Sequence, residues 1–286
     1  MEWATSLTLT GMLPDSFFLV QPASNSIAAI ITSRRMEILF ILFTLILADN
    51  LLYAHIWQNV ILTVNPNGVI IDYGGINMLR LRNCGIEIIN CADTKPGAVL
   101  YFFCAEKVDI TPAADMAVAM IYPYEWNSMM TPWKSAGNNG TGDGDVFAEE
   151  MVKNIIPVIE EQLGFEQGIR GVGGYSLGGL EALYMSTRYR IFDFAGSVSG
   201  SMWYENALEY FENNRMNVKH AFISLGKREA KTNNPMRKSV LENTVKIVEK
   251  TKEYAETVFL MENGGHFTDI RGRIERCKLD FNSFWK

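Results

Sequence analysis

The chain has 286 residues, of which 48% are hydrophobic and 20% charged, enough for one large domain with a sizeable core. Its formal net charge of −6 implies no strongly basic face, so we expect no nucleic acid partner. The four cysteines lack the spacing of a zinc site, and we predict no metal. We expect buried free thiols in a reducing compartment, with a Cys84–Cys91 hairpin disulfide as the alternative for an exported protein.

The N-terminal segment, residues 1–75, is distinguished by an apolar run of ten residues at 38–47, preceded by Arg34 and Arg35. A membrane-spanning helix needs ~20 such residues, so we do not expect a membrane protein. Three interpretations of the run stay open: a signal-peptide core, a buried helix or strand, or sequence upstream of a true start at Met36. We expect a cytoplasmic protein, exported only if residues 34–48 act as a signal segment.

The pattern becomes regular from about residue 69. Short strands are predicted at 69–72, 78–82 and 86–92, and an apolar run predicts a strand buried on both faces at 98–104. Further strands are predicted at 117–122, 169–175, 194–198, 221–225 and 257–261, and they alternate with predicted helices at 146–163, 177–187, 235–256 and 269–284. Pro157 lies inside the first helix and is expected to kink it. The alternation predicts an α/β fold, with a mostly parallel sheet and helices on both faces.

The most informative motif is the stretch GGYSLGG at residues 173–179, which contains a G-x-S-x-G pattern between a predicted strand and a predicted helix. A serine on such a tight turn presents its hydroxyl at the carboxyl end of the sheet. We therefore predict Ser176 as a nucleophile and the backbone N–H of Leu177 as an oxyanion donor. The alternative is a glycine-rich turn that only packs a helix on a sheet. Phosphate binding is disfavoured because no Lys-Ser/Thr pair follows the glycines.

A serine hydroxyl is a poor nucleophile unless a base lies within hydrogen-bond reach. His266 lies in a glycine-rich loop after the last predicted strand, and this loop returns to the carboxyl edge of the sheet. His220 enters a predicted strand and His55 lies in the N-terminal segment. We therefore predict His266 as the base, the alternative being a loop histidine beside a helix end.

The acid that orients such a histidine comes between the serine and the histidine in the chain order of this fold. The candidates in that interval are Asp193, Glu205, Glu229 and Glu262. Glu229 follows the predicted strand 221–225 at the carboxyl edge, one strand before the histidine loop, and we predict it as the acid. Glu205 is the second choice, and a solvated charge among neighbouring basic residues is the alternative for Glu229.

The second oxyanion donor of this fold comes from the loop after an earlier strand. We place it after the predicted strand 117–122, at a backbone N–H near Trp126. The indoles of Trp126, Trp133 and Trp203 could also wall an apolar acyl or aryl pocket, although tryptophans more often simply pack.

Five motifs together resemble the Putative esterase family of α/β-hydrolases, most of all its enterochelin-esterase-like branch. They are GGYSLGGL at 173–180, FAGSVSGSMW at 194–203, SLGKREAKTNNP at 224–235, GGHF at 264–267, and EWN with TPW between 125 and 133. The resemblance covers residues 76–286 and implies that they form an α/β-hydrolase catalytic domain. It also implies Ser176 as nucleophile and His266 as base, and it supports Glu229 as the acid.

The predicted function is a serine esterase that cleaves a small-molecule carboxylic ester through an acyl-enzyme intermediate, without a cofactor. Two other functions stay open. The same three residues could pass the acyl group to an alcohol as an acyltransferase, or the fold could be a non-catalytic binding protein.

Overall fold

The computed structural model describes residues 5–8, 60–65, 68–73, 76–81, 83–90, 95–136 and 139–286. The apolar run at 38–47, the segment 34–48, His55 and Cys91 lie outside the described residues. Cys84, Cys104 and Cys277 are free and buried, as predicted. Within the described ranges, no helix is long and apolar enough to cross a membrane.

The described strands form one sheet in the order β1-β2-β3-β4-β5-β7-β6-β8-β9-β10-β11. Their bounds are β1 (Thr5–Thr8), β2 (Val60–Asn65), β3 (Gly68–Tyr73), β4 (Ile76–Arg80), β5 (Cys84–Asn90), β6 (Ala98–Phe103), β7 (Met116–Pro123), β8 (Ile169–Tyr175), β9 (Phe194–Val198), β10 (His220–Gly226) and β11 (Glu256–Glu262). All neighbours from β7 to β11 are parallel, whereas the pairs from β1 to β5, and β5 with β7, are antiparallel. The predicted antiparallel start and parallel core are both confirmed.

The helices pack on both faces of this sheet, as predicted. Their bounds are α1 (Trp126–Met129), α2 (Gly144–Glu150), α3 (Ile156–Leu163), α4 (Leu177–Arg188), α5 (Ala207–Asn213), α6 (Val240–Lys252) and α7 (Ile270–Trp285). Alternate residues of β6 belong to different cores: Val99 and Phe103 face the α4 side, and Leu100 and Phe102 face the α7 side. Every side chain of β6 is fully buried. The period of two along a strand thus places apolar surface on both faces.

Two predicted helices differ from the structure in their extent. The predicted helix 146–163 is divided into α2 and α3 by a π-helical turn at Met151–Ile155, and Pro157 is the second residue of α3. Proline has no N–H to donate, and the wider turn before it accommodates the missing hydrogen bond. The predicted helix 235–256 was too long, because α6 ends at Lys252 and β11 already begins at Glu256.

Candidate active site

The turn between β8 and α4 holds Ser176 in an unusual backbone conformation, with φ 60° and ψ −120°. A non-glycine residue at positive φ is strained and persists only where surrounding contacts hold it. The Ser176 N–H donates to the carbonyl of Val198 at 3.1 Å. A β-carbon on Gly174 would lie 2.2 Å from the carbonyl oxygen of Gly178, so only glycine fits there. The turn therefore has the steric requirement that its sequence predicts.

The structure brings the side chains of Ser176, His266 and Glu229 together in one hydrogen-bonded row. Nε2 of His266 lies 3.0 Å from Oγ of Ser176, and Nδ1 lies 2.7 Å from Oε2 of Glu229. The hydroxyl of Tyr175 donates to the backbone carbonyl of His266 and anchors the histidine loop. The imidazole can thus receive a proton from the serine while its other nitrogen faces a carboxylate.

The Glu229 carboxylate is buried but well supplied with donors. Its Oε1 accepts from the Gly226 N–H at 2.6 Å and from Nη1 of Arg273 at 3.0 Å. Burial alone would raise the pKa of Glu229, but the hydrogen bond and charge of His266, followed by the Gly226 N–H, hold it below the ordinary value. Glu229 is therefore ionised at neutral pH.

Arg273 is a residue of this site that sequence reasoning missed. Its side chain is fully buried in the first turn of α7. Besides Glu229, it donates to the Ser199 hydroxyl at 2.7 Å and to the carbonyls of Asn263 at 2.8 Å and Gly265 at 3.0 Å. One guanidinium thus connects the carboxylate to the backbone of the histidine loop. No local motif indicates this role, since Glu229 is 44 residues away along the chain.

The other candidate acids lie elsewhere. Oε2 of Glu205 accepts from the Ser135 hydroxyl at 2.8 Å. Two candidates form ion pairs with basic residues: Asp193 with Lys219 at 2.7 Å, and Glu262 with Arg276 at 2.7 Å. Among the described residues, Glu229 alone of the four candidates contacts His266.

Both predicted oxyanion donors begin helices at the cleft. Leu177 is the first residue of α4 and Trp126 is the first residue of α1, so neither N–H has an acceptor within its own helix. The Trp126 ring lies against the turn that holds Ser176, since a β-carbon on Gly178 would be 3.0 Å from its Cη2. The assignment of the Trp126 N–H as a donor stays a prediction.

The strand order adds a second source for that donor. β6, not β7, is the neighbour of β8, and Phe103 is paired with Gly174. The loop that begins at Cys104 is therefore adjacent to Ser176 and lines the same cleft. Sequence reasoning chose the loop after β7 because chain order alone does not reveal that β6 lies between β7 and β8.

A cleft of about 910 Å³ opens over Ser176 and His266. Trp126 and Trp203 line it, as predicted. Trp133 does not, because its ring packs against three tyrosines, Tyr184, Tyr204 and Tyr210. Phe267 is 80% exposed at the cleft, next to the imidazole.

Across the described residues, no group of three or more His, Cys, Asp and Glu side chains could hold a metal ion.

The parallel sheet with its strand-turn-helix serine defines the chain as an α/β-hydrolase fold. Residues 111–266, more than half of the chain, match the model of the Putative esterase family. The chain belongs to this family, and the resemblance drawn from its motifs is confirmed.

Individual relatives are more distant. The uncharacterized protein YbbA of Bacillus subtilis (strain 168) is 31% identical in an alignment of 133 residues that covers 43% of this chain and 53% of YbbA. The chain thus spans about half the length of this curated relative.

Solved structures share the fold at low identity. The siderophore hydrolase EstA of Aspergillus nidulans superposes with a TM-score of 0.53 at 13% identity, covering 71% of this chain and 91% of EstA. An IroE-like serine hydrolase of Shewanella oneidensis gives a TM-score of 0.53 at 16% identity, over 69% of this chain and 73% of that protein. The BES protein of Bacillus cereus gives a TM-score of 0.52 at 18% identity, over 68% of this chain and 88% of the BES protein.

Proposed function

We propose that this protein is a serine esterase that hydrolyses carboxylic esters through an acyl-enzyme intermediate. The observation that carries the proposal is the continuous row from Ser176 Oγ to His266 Nε2 at 3.0 Å, and from His266 Nδ1 to Glu229 Oε2 at 2.7 Å. Membership of an esterase family supports the reaction type. The strained turn, which presents the serine to an open cleft, supports Ser176 as the attacking group.

The reaction begins when Oγ of Ser176 attacks the ester carbonyl carbon and its proton passes to Nε2 of His266. The carbonyl oxygen becomes an oxyanion. When the tetrahedral intermediate collapses, the bond to the alcohol oxygen breaks and the alcohol leaves with the proton from His266. Water then attacks the acyl-serine, gives one proton to His266, and the same steps in reverse free the acid and the serine.

The surrounding groups stabilise charge in these steps. The Leu177 N–H, at the positive end of α4, faces the oxyanion together with a second N–H from near Trp126 or from the loop at Cys104. Glu229 keeps Nδ1 of His266 protonated and offsets the charge of the imidazolium. Arg273 positions Glu229 and the histidine loop but does not touch the substrate.

The substrate class in this proposal is a small-molecule ester. Siderophore-type esters are the first to test, because the EstA relative is named a siderophore hydrolase. An acyltransferase would use the same row of residues, and its product would be a new ester when an acceptor alcohol is supplied. Residues 76–286 form the catalytic domain in this proposal, and the buried free thiols favour a cytoplasmic location.

The experiment is turnover of p-nitrophenyl acetate by the purified wild-type protein and its Ser176→Ala variant. We expect the variant to lose about 1,000-fold or more of kcat, as for other serine hydrolases that lose the nucleophile. A variant as active as the wild type would reject the assignment. A non-catalytic binding protein would show no turnover and no reaction with a fluorophosphonate.

A further inference from the structure

One wall of the cleft carries an excess of positive charge that the chain as a whole does not have. Residues 227–238 contain five basic residues and one acidic residue, in a chain whose net charge is −6. The segment runs from the end of β10 to the start of α6 and borders the cleft over Ser176. A segment of this composition is usually an ordinary solvated loop. Whether it binds a ligand depends on which partners its charges have and on where the segment lies.

Three exposed cationic side chains of this segment line the cleft: Arg228, Lys231 and Arg237. The single acid of the segment, Glu229, is already bound by His266 and Arg273. In the described part of the chain, none of these three cations has a carboxylate oxygen within 4.0 Å. Among the described residues, no close ion pair therefore neutralises the positive charge of this wall.

The opposite wall has the reverse character. Glu106 and Asp109 line it, and its one cation, Lys107, is paired with Glu87 at 3.0 Å. The cleft thus has a positive side and a negative side, so a ligand with a single charged end has one preferred orientation.

The positive wall also offers an apolar surface. The guanidinium of Arg237 lies 5.2 Å from the ring centroid of Trp203, and both residues line the cleft. Stacking on the indole holds the guanidinium in place while its N–H groups remain able to bind an anion. An arginine beside an indole suits a ligand that combines a flat apolar part with a negative charge.

We infer that the preferred substrates are esters that carry an anionic group, such as a carboxylate, bound by Lys231 and Arg237. This inference rests on the proposed esterase function and names its substrate class. The uncharged part of such an ester lies along Trp203, and its carbonyl reaches Ser176.

Two pairs of esters test the inference, with each rate divided by the hydroxide-catalysed rate of the same ester. Mono-p-nitrophenyl adipate against p-nitrophenyl hexanoate places the charge on the acyl side, and 4-acetoxybenzoate against its methyl ester places it on the alcohol side. In at least one pair we expect kcat/KM to favour the anion about tenfold, since two cations contribute at short range. The preference should weaken as the salt concentration is raised from about 0.05 M to about 0.5 M, because the added ions screen the charges.

The decisive variants are Arg237→Gln and Lys231→Gln, with Lys238→Gln as the matched control. Lys238 is exposed next to Arg237 but does not line the cleft. The first two variants should each lower the anion-to-neutral ratio of kcat/KM by about fivefold, and Lys238→Gln should leave it unchanged.

The possible failures are distinct. Ser176-dependent turnover of neutral esters, with less than about twofold preference in both pairs, would overturn the inference and leave the esterase function standing. A preference that survives in both decisive variants would overturn the assigned residues. Absence of turnover on all four esters would overturn the proposed function and the inference with it.

Discussion

The buried guanidinium of Arg273 and the imidazole of His266 bind opposite oxygens of the same carboxylate. Nη1 of Arg273 lies 3.0 Å from Oε1 of Glu229, and Nδ1 of His266 lies 2.7 Å from Oε2. Because Arg273 also donates to the carbonyl of Gly265, next to His266, it fixes both partners of the acid–histidine contact. The row of three is therefore supported from behind by a fourth side chain.

Replacing Arg273 should change the pH dependence of the reaction as well as its rate. Without this cation the ionised Glu229 carboxylate loses a hydrogen bond and an opposite charge. Protonation of Glu229 therefore becomes easier, and the acid limb of the kcat/KM profile of Arg273→Met should move to higher pH. Arg276→Met, three residues further along α7, is the control and should leave the limb in place. Arg273→Lys retains the positive charge, so the acid limb should stay at the same pH while kcat falls.

The outcome that contradicts this role is a lower kcat in Arg273→Met with an unshifted acid limb, because loss of packing alone does not move a pH profile. Loss of one partner of a buried ion pair costs about 3–5 kcal/mol, so thermal unfolding is measured alongside. If Arg273→Met does not fold, Arg273→Lys decides: a shifted limb with the charge retained would reject the role.

Glu229→Gln tests which carboxylate acts as the acid. The amide cannot offset the imidazolium and can hold the wrong tautomer of His266, so kcat should fall by about 100-fold or more. Glu205→Gln is the matched control, since Glu205 binds Ser135 and not His266, and it should stay within about twofold of the wild type. The reverse order of the two effects on p-nitrophenyl acetate turnover would reassign the acid to Glu205.

Gly174→Ala tests the packing of the turn that holds Ser176. The added methyl would lie 2.2 Å from the Gly178 carbonyl oxygen, so we expect a loss of about 1–3 kcal/mol in the free energy of unfolding and loss of esterase activity. Gly85→Ala in β5 is the control, because its nearest neighbour would be the Tyr124 hydroxyl at 4.0 Å. It should change stability by less than about 1 kcal/mol. Chemical denaturation of both variants measures the difference, and equal stabilities would contradict the steric argument.

We expect the buried side chain of Glu181 to make the stability of the protein depend on pH. It is fully buried in α4, and neither carboxylate oxygen has a hydrogen-bond partner among the described residues. Burial, and to a lesser extent the charge of Asp145, raises the pKa of Glu181 well above its ordinary value. As pH rises, Glu181 loses its proton in the unfolded chain before it does so in the folded protein. The free energy of unfolding therefore falls as pH rises from the ordinary pKa of a glutamate towards the raised pKa of Glu181 in the folded protein.

Glu181→Gln removes this ionisation. Its free energy of unfolding relative to the wild type should therefore grow between pH 5 and pH 8, by up to about 1.4 kcal/mol per pH unit. Glu212→Gln, on the exposed side of α5, should show a constant and small difference. A Glu181→Gln difference that shrinks with rising pH would contradict the assignment.

Much of the fold can be predicted from the sequence, because a strand that is buried on both faces is a continuous run of apolar residues. The predicted strand 194–198 coincides with β9, and β8 lies within its predicted bounds. The helix α5 was missed because its seven residues are too few to show a clear period. The position of β6 between β7 and β8 was also missed, since no local pattern encodes the order of strands in a sheet.

Some residues of the candidate site can likewise be predicted from local sequence patterns, and others cannot. Ser176 and His266 follow from local context, a tight strand-to-helix turn and a glycine-rich loop after the last strand. Glu229 follows from its place at the carboxyl edge of β10. Arg273 cannot be found locally, because its partners Ser199 and Glu229 lie 74 and 44 residues away and only tertiary packing joins them. The loop at Cys104 depends in turn on the strand order.

Ser176 as the attacking group is tested most directly by identifying the residue that a fluorophosphonate modifies. Intact mass and peptide mapping of the labelled native protein should show one adduct, on Ser176, with p-nitrophenyl acetate turnover lost in proportion to labelling. His266→Ala should slow labelling by about 100-fold or more, because the hydroxyl loses its base. An adduct on another residue, or turnover that persists after Ser176 is fully modified, would contradict the assignment of Ser176 as the nucleophile.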